Sequence, residues 1–226
     1  MSPADDVVKD GSEVAPDGSP IQVYRRLPPM GEPEIVHAAI PAGATVLELG
    51  AGAGRVTMPL VALGHPVTAV DESPAMLSTI RGADIVKGDL RTLDLGRSFG
   101  AVLAASHLLN TPEPFRSAVL STVRRHLAPG GVALFEVYAP GMDWPAAVGR
   151  LSRIGHVAVT VERAEVSGRR IDATVAYAIG GRTWSQAFVA EMLDEDDVRA
   201  ELARAGLRFD RWLDRSKGWF AGSHLP

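Results

Sequence analysis

The stretch Val46–Val56, VLELGAGAGRV, constrains the fold more than any other part of the sequence. An apolar run that contains Glu48 is followed by glycines at positions 50, 52 and 54. Glycines let a chain turn tightly and bring its backbone close to a ligand. The stretch therefore predicts a buried strand, a tight loop and a helix. The loop is not of the P-loop type, because no Gly-Lys-Ser/Thr follows, and Arg55 stands where the dinucleotide pattern G-x-G-x-x-G requires its third glycine.

Strand and helix signals alternate from residue 32 to about residue 140. Short apolar runs bounded by Gly or Asp predict five buried strands. The intervening segments predict helices, one over residues 73–82 with Ser73 as its N-cap, and one that starts near residue 113 and stops at Pro-Gly-Gly. Such alternation favours right-handed βαβ crossovers and a doubly wound, mostly parallel α/β sheet.

The pattern of apolar and polar residues changes after residue 140. Residues 156–192 hold three runs that alternate with period two, separated by SGRR and GGRT, which predicts an inserted antiparallel β-meander. A helix and two strands follow, and this last pair could add an antiparallel edge that brings the sheet to seven strands. We therefore divide the chain into a flexible N-terminal tail (1–20), a core with an N-terminal lid (21–140), the meander insertion (141–192) and a closing segment (193–226).

Composition excludes several classes of protein. The net charge of −4 gives no basic patch for nucleic acid or a membrane surface. The sequence has no cysteine, so disulfides, thiolate metal sites and cysteine nucleophiles are excluded, and a reducing cytoplasm is the expected location. It also has no run of 18 apolar residues, so no transmembrane helix is expected.

The motifs resemble those of the class I S-adenosylmethionine-dependent methyltransferases. LELGAGAG resembles their first motif, AVDESPAML the second, in which an acidic residue ends strand two, and VKGDL the third. LAASHLLN resembles the segment after strand four, and LAPGGVALFEV the approach to strand five. The resemblance covers about residues 34–140. It implies a Rossmann-like methyltransferase fold with S-adenosyl-L-methionine as the cofactor.

The resemblance also implies roles for single residues. Glu48 would balance the positive methionine end of the cofactor, and Asp71 would accept hydrogen bonds from both ribose hydroxyls. Asp89 would accept one from the adenine amine, with Met76 and Leu90 on either side of the ring. The further cofactor contacts that it implies are Tyr24, Gly50, Ala51, Gly52, Glu72, Gly88, Ala105 and His107.

The same residues also allow purely structural interpretations. Gly52 could serve only a tight strand-to-helix turn. Asp71 could cap the next helix, and Asp89 could be an ordinary loop carboxylate. Met76, taken alone, is more often a core residue than an adenine wall.

The acceptor of the methyl group is expected beyond the ends of strands four and five. His107 lies there and could act as a catalytic base, or it could only line the pocket. Tyr24 matches the lid aromatic of small-molecule methyltransferases, which implies a cofactor-binding or catalytic role. Tyr138 could border the acceptor. Trp144 and Trp184 could bind substrate in the roof that the meander forms, or fill a core.

The C-terminal part resembles aminosugar N,N-dimethyltransferases of antibiotic pathways. We therefore expect methyl transfer to a small natural product or peptide in secondary metabolism, to an amine rather than a hydroxyl. A homodimer is compatible with the sequence. The alternatives are an NAD(P)-dependent oxidoreductase, disfavoured by the glycine spacing and the missing Tyr-x-x-x-Lys, and a non-catalytic cofactor-binding subunit. The acidic run at residues 194–197 predicts a helix start and not a metal site.

Overall fold

A computed structural model describes residues 14–226; the rest of the predicted tail lies outside the described residues. The helices are α1 (Ile21–Tyr24), α2 (Glu32–Ala39), α3 (Thr57–Ala62), α4 (Pro74–Leu77), α5 (Phe115–His126), α6 (Trp144–Ala147) and α7 (Glu195–Arg204), with a 3-10 turn at Leu108–Asn110. The strands are β1 (Val46–Leu49), β2 (Val67–Asp71), β3 (Asp84–Lys87), β4 (Phe99–Ala104), β5 (Leu127–Glu136), β6 (Leu151–Ile154), β7 (Val157–Ser167), β8 (Arg170–Ile179), β9 (Arg182–Glu191), β10 (Leu207–Trp212) and β11 (Trp219–His224).

Seven strands form one sheet in the order β10-β11-β5-β4-β1-β2-β3. The five strands from β1 to β5 run parallel, whereas β11 pairs antiparallel with both β5 and β10. All side chains of β1 are buried, because both faces of the sheet are covered, while β3 at the edge is largely exposed. The predicted doubly wound, mostly parallel sheet with its antiparallel edge is confirmed.

The two faces of the sheet carry separate apolar clusters. Leu47 and Leu49 of β1 pack with residues of α5 and α7 on one face. Val46 packs with residues of α2 and α3 on the other. Since side chains of a strand alternate between faces, Glu48 shares the face of Val46 and points towards the helices of the N-terminal half.

The inserted meander is a second, antiparallel sheet in the order β6-β7-β8-β9. Its three long strands and the turns at residues 168–169 and 180–181 are those that the sequence predicts. The short strand β6 was not predicted, and its largely exposed residues lack the alternation that marks the other three.

Two predicted boundaries differ from the structure. The helix predicted over residues 73–82 is only one turn, α4, although Ser73 caps it by accepting from the amide of Met76. The hydroxyl of Thr79 donates to the carbonyls of Ala53 and Met76, so a side chain takes over the bonding that a longer helix would supply. The Pro-Gly-Gly sequence lies inside β5, because α5 already ends at His126.

Residues 14–20 also differ from the flexible tail that the sequence predicts. Val14 bridges to Pro20, and Ala15 and Ser19 are buried. The Ser19 hydroxyl donates to Asp17 and accepts from Gln186, which lies in β9. This part of the chain is therefore packed against the body of the protein. Within residues 14–226, no helix combines the length and the apolar character needed to cross a membrane.

Candidate active site

The carboxyl ends of four strands lie side by side at the centre of the sheet. Glu48 lies in β1, β2 ends at Asp71, His107 follows β4 and β5 ends at Glu136. Ligands of open α/β sheets bind at this edge. The four side chains therefore mark the candidate active site.

The glycine loop between β1 and α3 forms one wall of this site. Gly50, Gly52 and Gly54 have φ angles of 70°, 54° and 86°, which other residues adopt only with strain. A Cβ at Gly54 would lie 2.7 Å from Ile80 Cγ1, so a glycine at this position allows the loop to pack closely against Ile80. A Cβ at Gly52 would meet nothing within 4 Å, so Gly52 borders open space.

Glu48 is a buried carboxylic acid in this wall. It is 3% exposed, and its Oε2 accepts a 2.6 Å hydrogen bond from the Thr57 hydroxyl. Burial raises the pKa of Glu48 from 4.5 to about 7, against the lowering effects of the Thr57 bond and the Arg55 charge. A cation that bound beside Glu48 would offset this burial and favour the ionised form.

Asp71 closes the glycine loop onto β2. Its Oδ2 accepts from the amide of Gly52 at 2.9 Å and its Oδ1 from the amide of Ser73 at 2.8 Å. Burial raises the pKa of Asp71, and the bonds from Ser73 and Gly52 oppose that rise. The cap of α4 is Ser73 and not Asp71, so the capping alternative for Asp71 does not describe this site.

Further carboxylates lie on the rim beside Asp71. Glu72 is exposed, and partial burial, followed by the nearby charges of Asp17 and Asp71, raises its pKa. Both carboxylate oxygens of Asp89 accept from the guanidinium of Arg91, at 2.7 to 3.0 Å. That pairing lowers the pKa of Asp89. A ligand amine that bound Asp89 would have to share it with Arg91.

The apolar residues of the predicted cofactor site fall into two groups. Leu90 lies at the loop, since its Cδ1 is 3.8 Å from the position of a Cβ on Gly50. Met76 is 2% exposed and packs with Ala15 and Ile21, so it belongs to a core cluster beneath residues 14–21. The backbone positions that line the same strand ends are Ala51, Gly88 and Ala105.

His107 occupies an unusual turn at the end of β4. Ser106 and His107 are consecutive non-glycine residues with φ angles of 54° and 59°. The imidazole stacks on Tyr138 with 3.9 Å between ring centroids, and its buried Nδ1 has no hydrogen-bond partner among the described residues. Burial lowers the pKa of His107 to about 4, and the charge of Arg55 adds to that lowering. His107 is therefore neutral at physiological pH.

Residues of the 141–192 segment pack beside Tyr138 at this end of the site. Trp144 is 4% exposed and meets Tyr138 edge-on at 5.1 Å between centroids. Phe188 of β9 completes this cluster. The Nε1 of Trp144 is buried without a partner among the described residues, which leaves one donor unused within the cluster of mostly apolar side chains around Trp144.

Tyr24 connects the lid to the same roof. The hydroxyls of Tyr24 and Tyr177 both donate to Gln186 Oε1, at 3.2 and 3.4 Å. The Nε2 of Gln186 donates to Ser19 at 3.1 Å. Trp184 is 8% exposed and packs with Val23 beside this network. Trp184 thus lies in the core between lid and meander, apart from the stack around His107.

Three residues of the site were missed by the sequence reasoning. Arg55, which is partly buried, forms an ion pair with the buried Glu32, the first residue of α2. Glu136 is an acidic residue at the end of a strand, and so is Asp71, which was predicted from that position; the same criterion could have identified Glu136. Gln186 is the polar residue on the buried face of β9, and its place in the period-two alternation is the signal that was overlooked.

The acidic run at residues 194–197 has a structural role. Asp194 and Asp197 form a reciprocal capping box at the start of α7. Within the described part of the chain, no cluster of three or more His, Asp or Glu side chains could hold a metal ion.

Several known proteins are similar to this chain in sequence or in fold. Residues 46–131 match the model of a methyltransferase domain. An uncharacterized methyltransferase of Mycobacterium tuberculosis is 38% identical over 120 residues, which is 50% of this chain and 48% of that protein. The chain thus spans about half the length of the first curated relatives that it matches. The dTDP-4-amino-2,3,4,6-tetradeoxy-D-glucose N,N-dimethyltransferase of Saccharopolyspora spinosa is 26% identical over 77% of this chain and 76% of its own.

A solved structure extends the match to most of the fold. The SAM-bound amino pentose methyltransferase CalS10 of Micromonospora echinaspora superposes with a TM-score of 0.64 at 25% identity, over 85% of this chain and 88% of its own. These matches confirm the methyltransferase domain and the fold that the motifs indicated. The chain therefore carries a methyltransferase domain and has the fold of the class I S-adenosylmethionine-dependent methyltransferases.

Proposed function

We propose that this protein transfers a methyl group from S-adenosyl-L-methionine to an amine of a small natural product or peptide. The observation that carries the proposal is the convergence of Glu48, Asp71 and His107 at adjacent strand ends around the open side of Gly52. The convergence provides acidic groups for a cationic, hydroxyl-rich cofactor, and beside it the rings of His107, Tyr138 and Trp144 would form the walls of an acceptor chamber.

The residues of the site fit this cofactor. Glu48, whose pKa burial raises to about 7, suits the ammonium of the methionine part, because a cation beside it would favour the ionised form. Asp71 is already oriented by two amides and would accept from the ribose hydroxyls with its remaining lone pairs. Leu90 and Asp89 would contact the adenine, and Gly52 would let the protein backbone approach the ligand closely. When bound, the cofactor supplies an electrophilic methyl group on a sulfonium.

The chamber around His107 favours an amine over a hydroxyl as the acceptor. A hydroxyl benefits from a strong base, and His107, with a pKa of about 4, is a weak one. A neutral amine carries its own lone pair and needs mainly alignment and a dry site, which the rings of Tyr138 and Trp144 supply. The neutral imidazole of His107 can accept a hydrogen bond from the attacking nitrogen and so orient it.

The names of several similar proteins support the same class of acceptor. They include the aminosugar dimethyltransferase of Saccharopolyspora spinosa, the amino pentose methyltransferase CalS10 and the glycopeptide N-methyltransferase MtfA. Each of these names describes methylation of nitrogen or of an amino sugar. We extend that acceptor class, and a role in secondary metabolism, to this chain as part of the proposal.

The test is mass analysis of products. The purified protein is incubated with S-adenosyl-L-methionine and a panel of amino sugars, amine-bearing peptides and matched hydroxyl compounds. We expect one or two added methyl groups on an amine, and loss of turnover in Asp71→Ala but not in Asp84→Ala, a control at the exposed edge strand. Methylation of hydroxyl compounds alone would contradict the acceptor class. Binding of the cofactor without any product would indicate a non-catalytic subunit, and binding of NAD instead would indicate an oxidoreductase.

A further inference from the structure

The turn that carries His107 holds two consecutive residues in the left-handed region of backbone space. For a non-glycine residue this conformation costs about 1–2 kcal/mol, and it persists only where the surroundings hold it. Neither Ser106 nor His107 is a glycine, and the imidazole of His107 makes no hydrogen bond through its buried Nδ1. Groups other than the imidazole nitrogens must therefore fix the turn.

Glu136 supplies such a group from the neighbouring strand. Its Oε2 accepts a hydrogen bond of 2.6 Å from the amide of Ser106. Glu136 is the last residue of β5, and Trp219 of β11 pairs with it on its other side. The carboxylate thus ties the turn after β4 to the rigid end of a central strand. Burial raises the pKa of Glu136, and the bond from Ser106 opposes that rise.

Charged and polar groups from several elements face His107. Arg55 of the glycine loop lowers its pKa and Glu32 of α2 raises it. Tyr138 stacks on the ring, and the amide of Asn110 donates to the His107 carbonyl at 2.8 Å. Glu136 bonds the amide of Ser106, the residue before His107, and no hydrogen bond joins it to the imidazole among the described residues. An effect of Glu136 on His107 would therefore pass through the position of the turn.

We propose that Glu136 is a positioning residue, whose carboxylate holds the Ser106 amide and thereby fixes the His107 imidazole against Tyr138, facing the acceptor. The inference deepens the proposed function, because it assigns the residue that orients one wall of the acceptor chamber. Misplacement of a reacting group by about 1 Å can lower a rate by about 100-fold. A carboxylate that accepts from a backbone amide is a strong anchor for such a turn.

The experiment compares two replacements of similar length. Glu136→Gln keeps an oxygen that can accept from Ser106, whereas Glu136→Met removes it, and both remove the charge. Asp214→Ala is the matched control, because Asp214 holds the amide of Trp219 at 2.8 Å, on the strand next to β5. The titration of His107 is followed by NMR in the free protein, and kcat and KM for the acceptor are measured alongside. If Glu136→Met does not fold, Glu136→Ala serves as a second variant without an oxygen that can accept from the Ser106 amide.

We expect the pKa of His107 to rise from about 4 towards the ordinary value of 6.5 in Glu136→Met and to stay low in Glu136→Gln and Asp214→Ala. We also expect kcat to fall by about 10- to 100-fold in Glu136→Met alone, with a smaller change in KM. An unchanged His107 titration in Glu136→Met would overturn the inference. An equal loss in Glu136→Gln would overturn it as well, because it would make the charge essential. If His107 shifts as expected but no variant or wild-type protein transfers methyl groups, the positioning role stands and the proposed function fails.

Discussion

Replacement of Glu48 by Gln tests the electrostatic design of the cofactor site. Glu48 is buried in β1 with a pKa of about 7, compared with 4.5 for an exposed glutamate. A pKa that is raised in the folded state contributes stability below pH 4.5, and this contribution is lost as the pH rises through 7. Gln keeps the oxygen that accepts from Thr57 but does not titrate.

The size of the effect follows from the difference between the two pKa values. Each pH unit between 4.5 and about 7 corresponds to about 1.4 kcal/mol, so ionisation of Glu48 lowers the free energy of unfolding by about 3 kcal/mol above pH 7. The stability of Glu48→Gln relative to wild type should therefore increase by about 3 kcal/mol between pH 4.5 and pH 8. His107 titrates in both proteins and cancels in this difference.

Urea unfolding at pH 4.5 and pH 8 measures this difference, with Glu72→Gln as a control on the exposed rim of the same site. Although Glu48→Gln gains stability at pH 8, calorimetry should show that it binds S-adenosylhomocysteine about 10-fold more weakly or worse, because it lacks the charge that would face the ligand ammonium. A stability difference that does not change with pH, or one that favours wild type at pH 8, would refute this account of Glu48.

Three further predictions concern other parts of the structure. Gly52→Val should lower the affinity for S-adenosylhomocysteine in calorimetry, because the valine side chain would enter the open site, and it should lower the free energy of unfolding in urea by about 1–2 kcal/mol, because a φ angle of 54° is strained for valine. Unchanged binding would show that Gly52 does not face the ligand. Gln186→Leu should lower the melting temperature and raise KM for the methyl acceptor, because the hydroxyls of Tyr24 and Tyr177 lose the oxygen to which both donate. An unchanged melting temperature and KM would show that this network has no such role. Arg116→Met, measured by urea unfolding, should cost about 3 kcal/mol or more, because the buried guanidinium bonds Glu191 and the Leu109 carbonyl; a cost below about 1 kcal/mol would contradict that role.

The central sheet could be predicted from the sequence because its strands are buried on both faces and bounded by Gly or Asp. The continuous apolar runs of β1 and β2 and the period-two runs of β7 to β9 are local signals, and the structure follows them. The order of the strands was not predicted, because right-handed crossovers leave more than one arrangement of five parallel strands.

The contacts that complete the site depend on long-range packing and left no local signal. Ser19 lies in a stretch rich in Asp, Gly and Pro that resembles a loose tail, yet it is held by Gln186, 167 residues away in the chain. Arg55 was considered only because it breaks the dinucleotide pattern, and its ion pair with the buried Glu32 depends on the packing of α2 beside the glycine loop. Met76 was predicted as an adenine wall, and its packing against Ala15 depends on the same N-terminal segment.

The central claim is that the glycine loop and the carboxylates at the strand ends bind a sulfonium nucleoside. Isothermal titration of the wild-type protein with S-adenosylhomocysteine tests it most directly, with Asp71→Ala as the site variant and Asp84→Ala as the control. We predict binding in the micromolar range for wild type and the control, and an affinity about 10-fold lower or more for Asp71→Ala, which loses the acceptor for the ribose hydroxyls. No binding by folded wild-type protein at millimolar ligand, or equal affinities in all three proteins, would contradict the claim.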